Sequence, residues 1–304
     1  MRSRPYEIDS AMSAPSDLLP AFASHWIDTD AGRIFARSAG SGEPLLLLHG
    51  FGETHLAWRK IAPRLAQRFR VVLMDLRGYG WSDAPESENG AAFTKRAMAG
   101  DAVKVMEALG AIQFALVGHD RGARVGLRLA LDHPGRVRKL ALLDIAPLEE
   151  GIGDGNLARV GRAKFMSFEA PRPETLIAQD AQGFLFDALR SGAKSGTLDP
   201  FTEALDAYAQ AFDEPRRIHA FCEDYRAGEG ADKEALLADK AAGKKLIMPT
   251  LALWSAVHFP ENPSLLEVWR DWAENVSGEA IDCGHYLAEE APDAVLAALE
   301  AFLS

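Results

Sequence analysis

The sequence contains little cysteine, fewer basic than acidic residues, and no long apolar run. Cys222 and Cys283 are the only cysteines among 304 residues, which disfavours a disulfide framework and a zinc site. Lys and Arg total 33 and Asp and Glu total 44, a formal net charge of −11. This charge argues against nucleic acid or a membrane as partner. With no signal-peptide core or membrane span near the N-terminus, we expect a cytoplasmic protein.

Short apolar runs alternate with amphipathic stretches over much of the chain. Strands buried on both faces of a parallel sheet have this composition, and the stretches between them place helices on both faces. An antiparallel hairpin over 25–42 is predicted to precede them. The pattern predicts an α/β fold with a mostly parallel central sheet, with strands at 45–48, 71–74, 114–117, 140–143 and 250–254 and helices at 58–66, 95–109 and 121–132.

The alternation stops after Pro147 and resumes near residue 246. The segment between has no convincing buried strand, is rich in Ala, Glu, Asp and Lys, and has helical patterns around 173–188 and 200–212. The predicted organisation is a loose tail at 1–20, a core domain at 21–146 and 246–304, and a helical cap domain at 147–245.

The five residues from Gly118 to Gly122 follow an apolar run and precede a helical stretch. Their sequence, GHDRG, has the Gly-x-X-x-Gly form of a nucleophile elbow, the strained strand-to-helix turn of α/β hydrolases. Glycines are needed because a side chain at either end would collide with the neighbouring strand or helix. The central residue is Asp120, whose carboxylate suits displacement at a saturated carbon better than acyl transfer. We therefore predict an α/β-hydrolase fold with Asp120 as nucleophile.

The loop HGFG at 49–52 directly follows the first buried strand. In this fold, that loop and the residue after the nucleophile supply backbone N–H groups to an oxyanion hole. The predicted donors are the amides of Phe51 and Arg121, and the side chain of His49 is interpreted as structural.

His285 lies in the loop DCGHY, late in the chain and before a predicted closing helix at 292–303. The chain order nucleophile, acid, histidine predicts it to be the catalytic base. Its acid can follow either of two strands, and the first residues after Trp254 carry no carboxylate. Asp144 ends the other strand and is predicted to be the acid, with a capping role as its alternative.

These motifs resemble the fluoroacetate (haloacetate) dehalogenases of the α/β-hydrolase superfamily, from about residue 34 onward. The resemblance rests on the segments HGFGETHLAW, DLRGYGWSDAP, GHDRGARVGLRLALDHP, LALLDIAP, CEDYRAG and CGHYLAEEAPD. It implies that Asp120 attacks the carbon bearing the halogen, with Asp144 and His285 completing the triad. It also implies that Arg121 and Arg124 bind the substrate carboxylate.

Arg121 and Arg124 also fit this role chemically. They are three residues apart on the predicted helix, so both can face the same side one turn apart. Two guanidinium groups beside a nucleophilic carboxylate favour a small anionic substrate bound by forked hydrogen bonds. The alternative for Arg124 is an exposed position or an ion pair with an acidic cap residue.

One cap segment departs from the dehalogenase pattern. Fluoroacetate-specific members have a cap His-Trp pair, followed by Ser-Phe, that hydrogen-bonds the departing fluoride together with a cap Tyr. Tyr225 matches the Tyr, but in GRAKFMSF the positions of the pair hold Phe165 and Met166. Neither donates a hydrogen bond, so chloride or bromide is predicted to leave more readily than fluoride. The alternative is that both are core residues of the cap.

The predicted reaction uses no metal and no organic cofactor, and no metal-ligand or phosphate-binding spacing occurs in the sequence. An epoxide hydrolase with the same triad, using Tyr225 and Tyr208 as proton donors, is the main alternative, against which the two elbow arginines argue. A non-catalytic ligand receptor is disfavoured by the complete set of nucleophile, acid and base. The oligomeric state stays open, a homodimer included.

Overall fold

The computed structural model describes residues 17–148, 157–259 and 265–304. They contain an eight-stranded sheet of β1 (Ala23–Thr29), β2 (Gly32–Ala39), β3 (Glu43–Leu48), β4 (Phe69–Met74), β5 (Phe114–His119), β6 (Val137–Leu143), β7 (Thr250–Ser255) and β8 (Val276–Ile281). The strand order is β1-β2-β4-β3-β5-β6-β7-β8. The predicted antiparallel hairpin is β1 and β2, and the pairings from β3 to β8 are parallel. The predicted α/β fold is confirmed.

The apolar runs of the sequence form the interior of this sheet. Residues 45–48 in β3 and 140–143 in β6 are at most 1% exposed, because helices cover both faces of the sheet. The edge strand β8 is different, since only Ile281 is fully buried among its residues. An edge strand of this kind has no continuous apolar run by which the sequence could have predicted it.

Helices α1 (Ala62–Leu65), α2 (Lys95–Ala108) and α3 (Asp120–Asp132) connect strands of the core. The second and third agree with the predicted helices to within one residue at each end. The first is much shorter than the predicted 58–66, because Trp58 ends a 3-10 turn that begins at His55, and turns at 59–61 and from residue 66 bound the helix. Pro63 lies in the first turn of α1. Backbone amides in that turn make no hydrogen bond within the helix, so the missing amide proton of proline costs nothing there.

Every described element between β6 and β7 is helical. These elements include α4 (Leu157–Met166), α5 (Arg172–Ile177), α6 (Ala181–Gly192), α7 (Leu205–Phe212), α8 (Pro215–Ala227) and α9 (Lys233–Ala241). The predicted helical stretch 173–188 is two helices, because the Asp180 side chain accepts the Gly183 amide at 2.8 Å and begins α6. The stretch 200–212 is α-helical only from Leu205, and α8 lies outside the predicted helices.

The chain ends with α10 (Leu265–Arg270), α11 (Leu287–Glu290) and α12 (Pro292–Leu303). The last of these is the predicted closing helix. Within the described ranges, no helix is both long and apolar enough to cross a membrane.

The predicted tail at 1–20 extends too far into the chain. Leu19 is 1% exposed in the core, and Asp17 forms an ion pair with Arg37 at 2.6 Å. Residues 17–20 therefore pack with the core, whereas residues 1–16 lie outside the described part of the chain.

Candidate active site

Asp120 directly follows β5 and is the first residue of α3. Its φ of +44° lies in the left-handed region, which costs free energy for a residue with a side chain. A Cβ atom on Gly118 would lie 2.6 Å from Ala123 Cα, and one on Gly122 would lie 2.3 Å from the Leu48 oxygen. The two glycines therefore stand where the backbone passes too closely for a side chain, as the elbow pattern requires.

The loop after β3 brings a backbone amide to this carboxylate. The Phe51 N–H donates to Asp120 Oδ2 at 3.0 Å. Gly50 permits the close approach, because a Cβ there would lie 2.9 Å from Asp120 Cβ. The Arg121 N–H belongs to the first turn of α3, where amides have no helical acceptor. Both predicted oxyanion donors are thus next to Asp120. The Phe51 amide is hydrogen-bonded to its carboxylate, and Arg121 is the next residue in the chain.

His285 lies between two carboxylates. Its Nδ1 is 2.5 Å from Asp144 Oδ2, and its Nε2 is 3.8 Å from Asp120 Oδ2. Asp144 is fully buried at the end of β6, where the Ser255 N–H donates to its other oxygen at 2.6 Å. The hydrogen bond to Asp144 therefore orients the imidazole so that Nε2 faces Asp120.

The charges around the site favour ionised carboxylates. Burial alone would raise the pKa of the Asp120 carboxyl, but the two neighbouring histidines and Arg121 lower it well below its ordinary value. Burial likewise acts to raise the pKa of Asp144, and the hydrogen bond with His285 is the largest effect that brings it below its ordinary value. Near neutral pH, Asp120 therefore has the charged form that a nucleophile requires.

Asp144, His258 and His285 are also the described residues whose ligating atoms could hold a metal ion, since those atoms lie within 4.8 Å of one another. Two of them share the 2.5 Å hydrogen bond between Asp144 and His285. A metal ion bound here would have to displace that bond, and the orientation of His285 toward Asp120 would be lost with it.

A cavity of about 310 Å³ contains the Asp120 carboxylate. Core and cap residues both contribute to its lining, which includes five arginines: Arg121, Arg124 and Arg128 from α3, and Arg159 and Arg162 from α4. Two of them form ion pairs, Arg121 with Asp224 and Arg128 with Asp132 and Asp239, and the lining also includes Lys95, Lys233, Glu229 and Asp232. The cavity thus brings several cationic groups near Asp120 in a chain whose net charge is negative.

Arg121 does not offer a full fork of donors to a substrate. Its Nε donates to Asp224 Oδ2 and its Nη2 to Asp224 Oδ1, both at 2.8 Å, and Nη2 also reaches the Asp224 carbonyl at 2.7 Å. The prediction that both elbow arginines bind the substrate by forked hydrogen bonds therefore needs correction. A protein carboxylate occupies the fork formed by Nε and Nη2 of Arg121, and among the described residues Nη1 is the nitrogen of this side chain that does not bind Asp224.

Asp224, on α8 of the cap, is the centre of a buried ionic cluster. It also accepts hydrogen bonds from the Tyr79 hydroxyl at 2.7 Å and from the Lys95 ammonium. Burial acts to raise the pKa of Asp224, but the charges of Arg121 and Lys95 lower it far more, so the carboxyl is ionised. Sequence reasoning took only Tyr225 from the segment CEDYRAG, because Arg121 lies 103 positions away from Asp224.

The two tyrosines predicted for the cap have different positions. Tyr225 lines the cavity, and the Arg121 guanidinium lies 4.4 Å from the centre of its ring. Burial and the Asp120 charge raise the pKa of Tyr225, so its hydroxyl keeps its proton. Tyr208 is not in the cavity lining, and its hydroxyl donates to Glu289 at 2.7 Å.

Phe165 and Met166 do not line the cavity, contrary to their predicted place in the leaving-group pocket. Met166 is 0% exposed within the hydrophobic core, and the Phe165 ring lies 6.2 Å from that of Phe184. The face of α4 that reaches the cavity carries Arg159 and Arg162 instead. Both predicted residues are thus packing residues of the cap, so their lack of hydrogen-bond donors does not bear on the leaving group.

His119 and Glu53 form a buried pair beside the nucleophile that sequence reasoning did not single out, although both lie inside the motifs of the site. His119 Nδ1 is 2.9 Å from Glu53 Oε2, and Nε2 is 2.8 Å from the His285 carbonyl. The same Glu53 oxygen accepts the Gly50 N–H at 2.9 Å. The pair therefore joins the elbow, the oxyanion loop and the loop of the base.

We expect this pair to make the stability of the protein depend on pH. Burial lowers the pKa of His119, but Glu53 raises it more, from 6.5 to about 9. Because the folded state then binds the proton more tightly, the stabilisation is complete below pH 6.5 and is lost as the pH rises through about 9. In Glu53→Gln, the decrease in unfolding free energy from about pH 6 to about pH 10 should be smaller by on the order of 1 to 3 kcal/mol.

Urea unfolding at both pH values tests this expectation. The cap provides a control in Glu174→Gln, which removes a glutamate that pairs at 2.9 Å with His219, a histidine whose side chain is 35% exposed. An equal pH dependence in the unmodified protein and in Glu53→Gln would contradict a charged His119.

The loop of His285 is attached to both the core and the cap. The Glu290 carboxylate, at the end of α11, accepts the two amides that flank His285, each at 3.0 Å. It also accepts the Lys194 N–H, just after α6, at 2.8 Å. The His285 N–H donates to the Gly192 carbonyl at 2.8 Å, and a Cβ on Gly284 would lie 2.4 Å from that oxygen. The backbone of the base thus fits closely against the end of α6.

Known proteins resemble this chain along nearly its whole length. Residues 43–292 match the family described as alpha/beta hydrolase fold. Fluoroacetate dehalogenase from Burkholderia sp is 36% identical over 94% of this chain and 95% of its own. Soluble epoxide hydrolase from Corynebacterium sp. (strain C12) is 33% identical over 85% of this chain and 89% of its own. The crystal structure of ALR0039 from Nostoc sp PCC 7120 is 43% identical, with a TM-score of 0.89 over 94% of this chain and 99% of that one. With this coverage, the protein belongs to the α/β-hydrolase fold family and is a relative of the fluoroacetate dehalogenases.

Proposed function

We propose that this enzyme releases halide from a small 2-haloacid through an alkyl ester formed on Asp120. The observation that carries the proposal is an ionised Asp120, held by the Phe51 N–H at 3.0 Å, inside a cavity lined with guanidinium groups. A carboxylate nucleophile suits attack at a saturated carbon, and guanidinium groups suit an acidic substrate. The name of the dehalogenase relative indicates the same substrate class.

In the first step, Arg124 and the Nη1 of Arg121 bind the substrate carboxylate and hold its α-carbon in line with Asp120. An Asp120 oxygen forms a bond to this carbon while the carbon–halogen bond breaks, and the halide leaves with the bonding electron pair. No proton moves in this step. The low pKa of Asp120 therefore keeps the nucleophile available without help from the base.

The second step hydrolyses the ester. His285, oriented by Asp144, takes a proton from a water molecule that attacks the carbonyl carbon of the Asp120 ester. The amides of Phe51 and Arg121 stabilise the oxyanion that forms there. The bond from the carbonyl carbon to the alkyl oxygen then breaks while His285 returns its proton to that oxygen, which releases a 2-hydroxyacid. The second proton of the water passes to solvent, which restores the Asp120 carboxylate.

An epoxide hydrolase is the second candidate, favoured by several relatives of that name and by the protonated Tyr225 hydroxyl in the cavity. The second phenol expected from the sequence, Tyr208, instead binds Glu289 outside the cavity lining. Guanidinium groups buried around a neutral epoxide gain no negatively charged partner from it, which costs free energy, whereas an acid supplies such a partner. These observations support the proposal of a haloacid as the substrate.

Turnover of chloroacetate and of styrene oxide distinguishes the two candidates. We expect chloride release with a kcat/KM at least about 100-fold above that for styrene oxide. Because a hydrogen bond to a charged group contributes about 1.5 to 3 kcal/mol, Arg124→Met should raise KM for chloroacetate about 10- to 100-fold. Arg190→Met is the control, since Arg190 lies on α6 and pairs with Asp187 on the surface. Efficient styrene oxide turnover without halide release would favour the second candidate, and turnover of neither would reject both.

A further inference from the structure

A departing halide would lie against the part of the cavity wall that is formed by residues of the cap. In an in-line displacement, the leaving group is on the side of the carbon opposite the attacking oxygen. Asp120 is supplied by the core, and the cap contributes lining residues from α4 and α8. The halide gains negative charge as it leaves, so donors on the cap wall stabilise the transition state. The inference drawn from this rests on the proposed function.

The cap wall carries four side chains that can donate a hydrogen bond to an anion: Arg159 and Arg162 of α4, Tyr225 of α8 and Lys233 of α9. Arg162 and Tyr225 are the pair of interest. The Arg162 side chain is partly buried, and its Nη1 donates to the Ser191 hydroxyl at 3.1 Å. This hydroxyl is neutral, so it orients the guanidinium without cancelling its charge. Tyr225 and Arg162 both line the cavity that contains the Asp120 carboxylate, so their side chains border the same space.

We propose that Arg162, together with the Tyr225 hydroxyl, binds the leaving halide. A charged N–H donor forms a stronger hydrogen bond to an anion than a neutral donor does. Fluoride gains most from such a donor, because its charge is the most concentrated of the halides. Both electrons of the carbon–halogen bond go to the halide, which leaves as the free anion, and Arg162 and Tyr225 keep their protons. With these donors the enzyme releases fluoride as well as chloride and bromide.

The halide series separates this role from two others that Arg162 could have. If Arg162 bound the substrate carboxylate, its loss would affect fluoro-, chloro- and bromoacetate equally, because all three carry the same carboxylate. If Arg162 only supported the cap, its loss would also slow hydrolysis of the ester. A residue that acts on the halide affects only the first step, since the three substrates give the same carboxymethyl ester on Asp120.

The experiment measures ester formation and ester hydrolysis separately in single turnovers of the three haloacetates. In Arg162→Gln, ester formation should slow about 100-fold or more with fluoroacetate, the cost of losing one donor to a developing anion, and progressively less with chloroacetate and bromoacetate. Hydrolysis of the common ester should keep its rate. Arg162→Lys, which keeps the charge, should recover part of the loss, and Arg190→Gln on α6 should have no effect.

Equal slowing of all three substrates, or none, would overturn the role of Arg162. Slower ester hydrolysis in Arg162→Gln would overturn it as well, in favour of support for the cap. Absence of halide release from any of the three acids by the unmodified protein would instead reject the proposed function. The two failures are therefore distinguishable.

Discussion

Asp120→Asn should remove turnover and leave the fold intact. Asn has the size of Asp and is among the residues that best tolerate the left-handed region, so the elbow can keep its φ of +44°. The neutral amide cannot displace a halide, and the ester on which the second step depends does not form. We expect kcat for chloroacetate to fall at least about 1000-fold, as is usual for loss of a nucleophile. Halide release and thermal unfolding are the two measurements.

The control for this variant is Asp187→Asn, on a cap helix, where the Asp187 side chain is 80% exposed. It should retain full activity. Near-normal turnover by Asp120→Asn would show that another residue is the nucleophile.

His285→Asn should stop the reaction halfway. The first step moves no proton, so one halide should still be released per enzyme molecule, whereas hydrolysis of the ester requires the base. The enzyme should therefore accumulate as the ester, and steady-state kcat should fall at least about 1000-fold. Mass spectrometry should find one added carboxymethyl group, derived from the substrate, on the peptide that contains Asp120.

The matched control is His219→Asn, because His219 pairs with Glu174 in the cap and is partly exposed. It should release halide continuously and show no added mass. If His285→Asn turned over at the normal rate, the base would be another residue. If it released no halide at all, His285 would be needed in the first step too, and the assignment of the two steps would be wrong.

Features encoded by a few neighbouring residues could be predicted from the sequence. The elbow is one, because its two glycines and Asp120 are within five positions and their sterics are local. The strand runs are another, since a strand buried on both faces must be apolar throughout. Asp144 was predicted because it ends a buried strand, and His285 because of its place in the chain order of nucleophile, acid and base.

Features that depend on the pairing of distant side chains could not be predicted in this way. The fork of Arg121 was predicted to be available to a substrate, because nothing near it in the sequence shows that Asp224 occupies it. Phe165 and Met166 were placed in the cavity by position relative to a family motif. Which face of α4 reaches the cavity depends on how the helix packs, and that face carries Arg162.

The contact between the base and α6 limits how the cap of this hydrolase can be exchanged for that of a relative. The Gly192 carbonyl is the acceptor of the His285 amide, and the Lys194 amide is a donor to Glu290. A transplanted cap that shifted these two groups would misplace the imidazole, although every catalytic side chain came from the recipient. The stretch 192–194 thus belongs functionally with the core, and the suitable junctions for a cap chimera lie on either side of it rather than at the ends of the whole insertion.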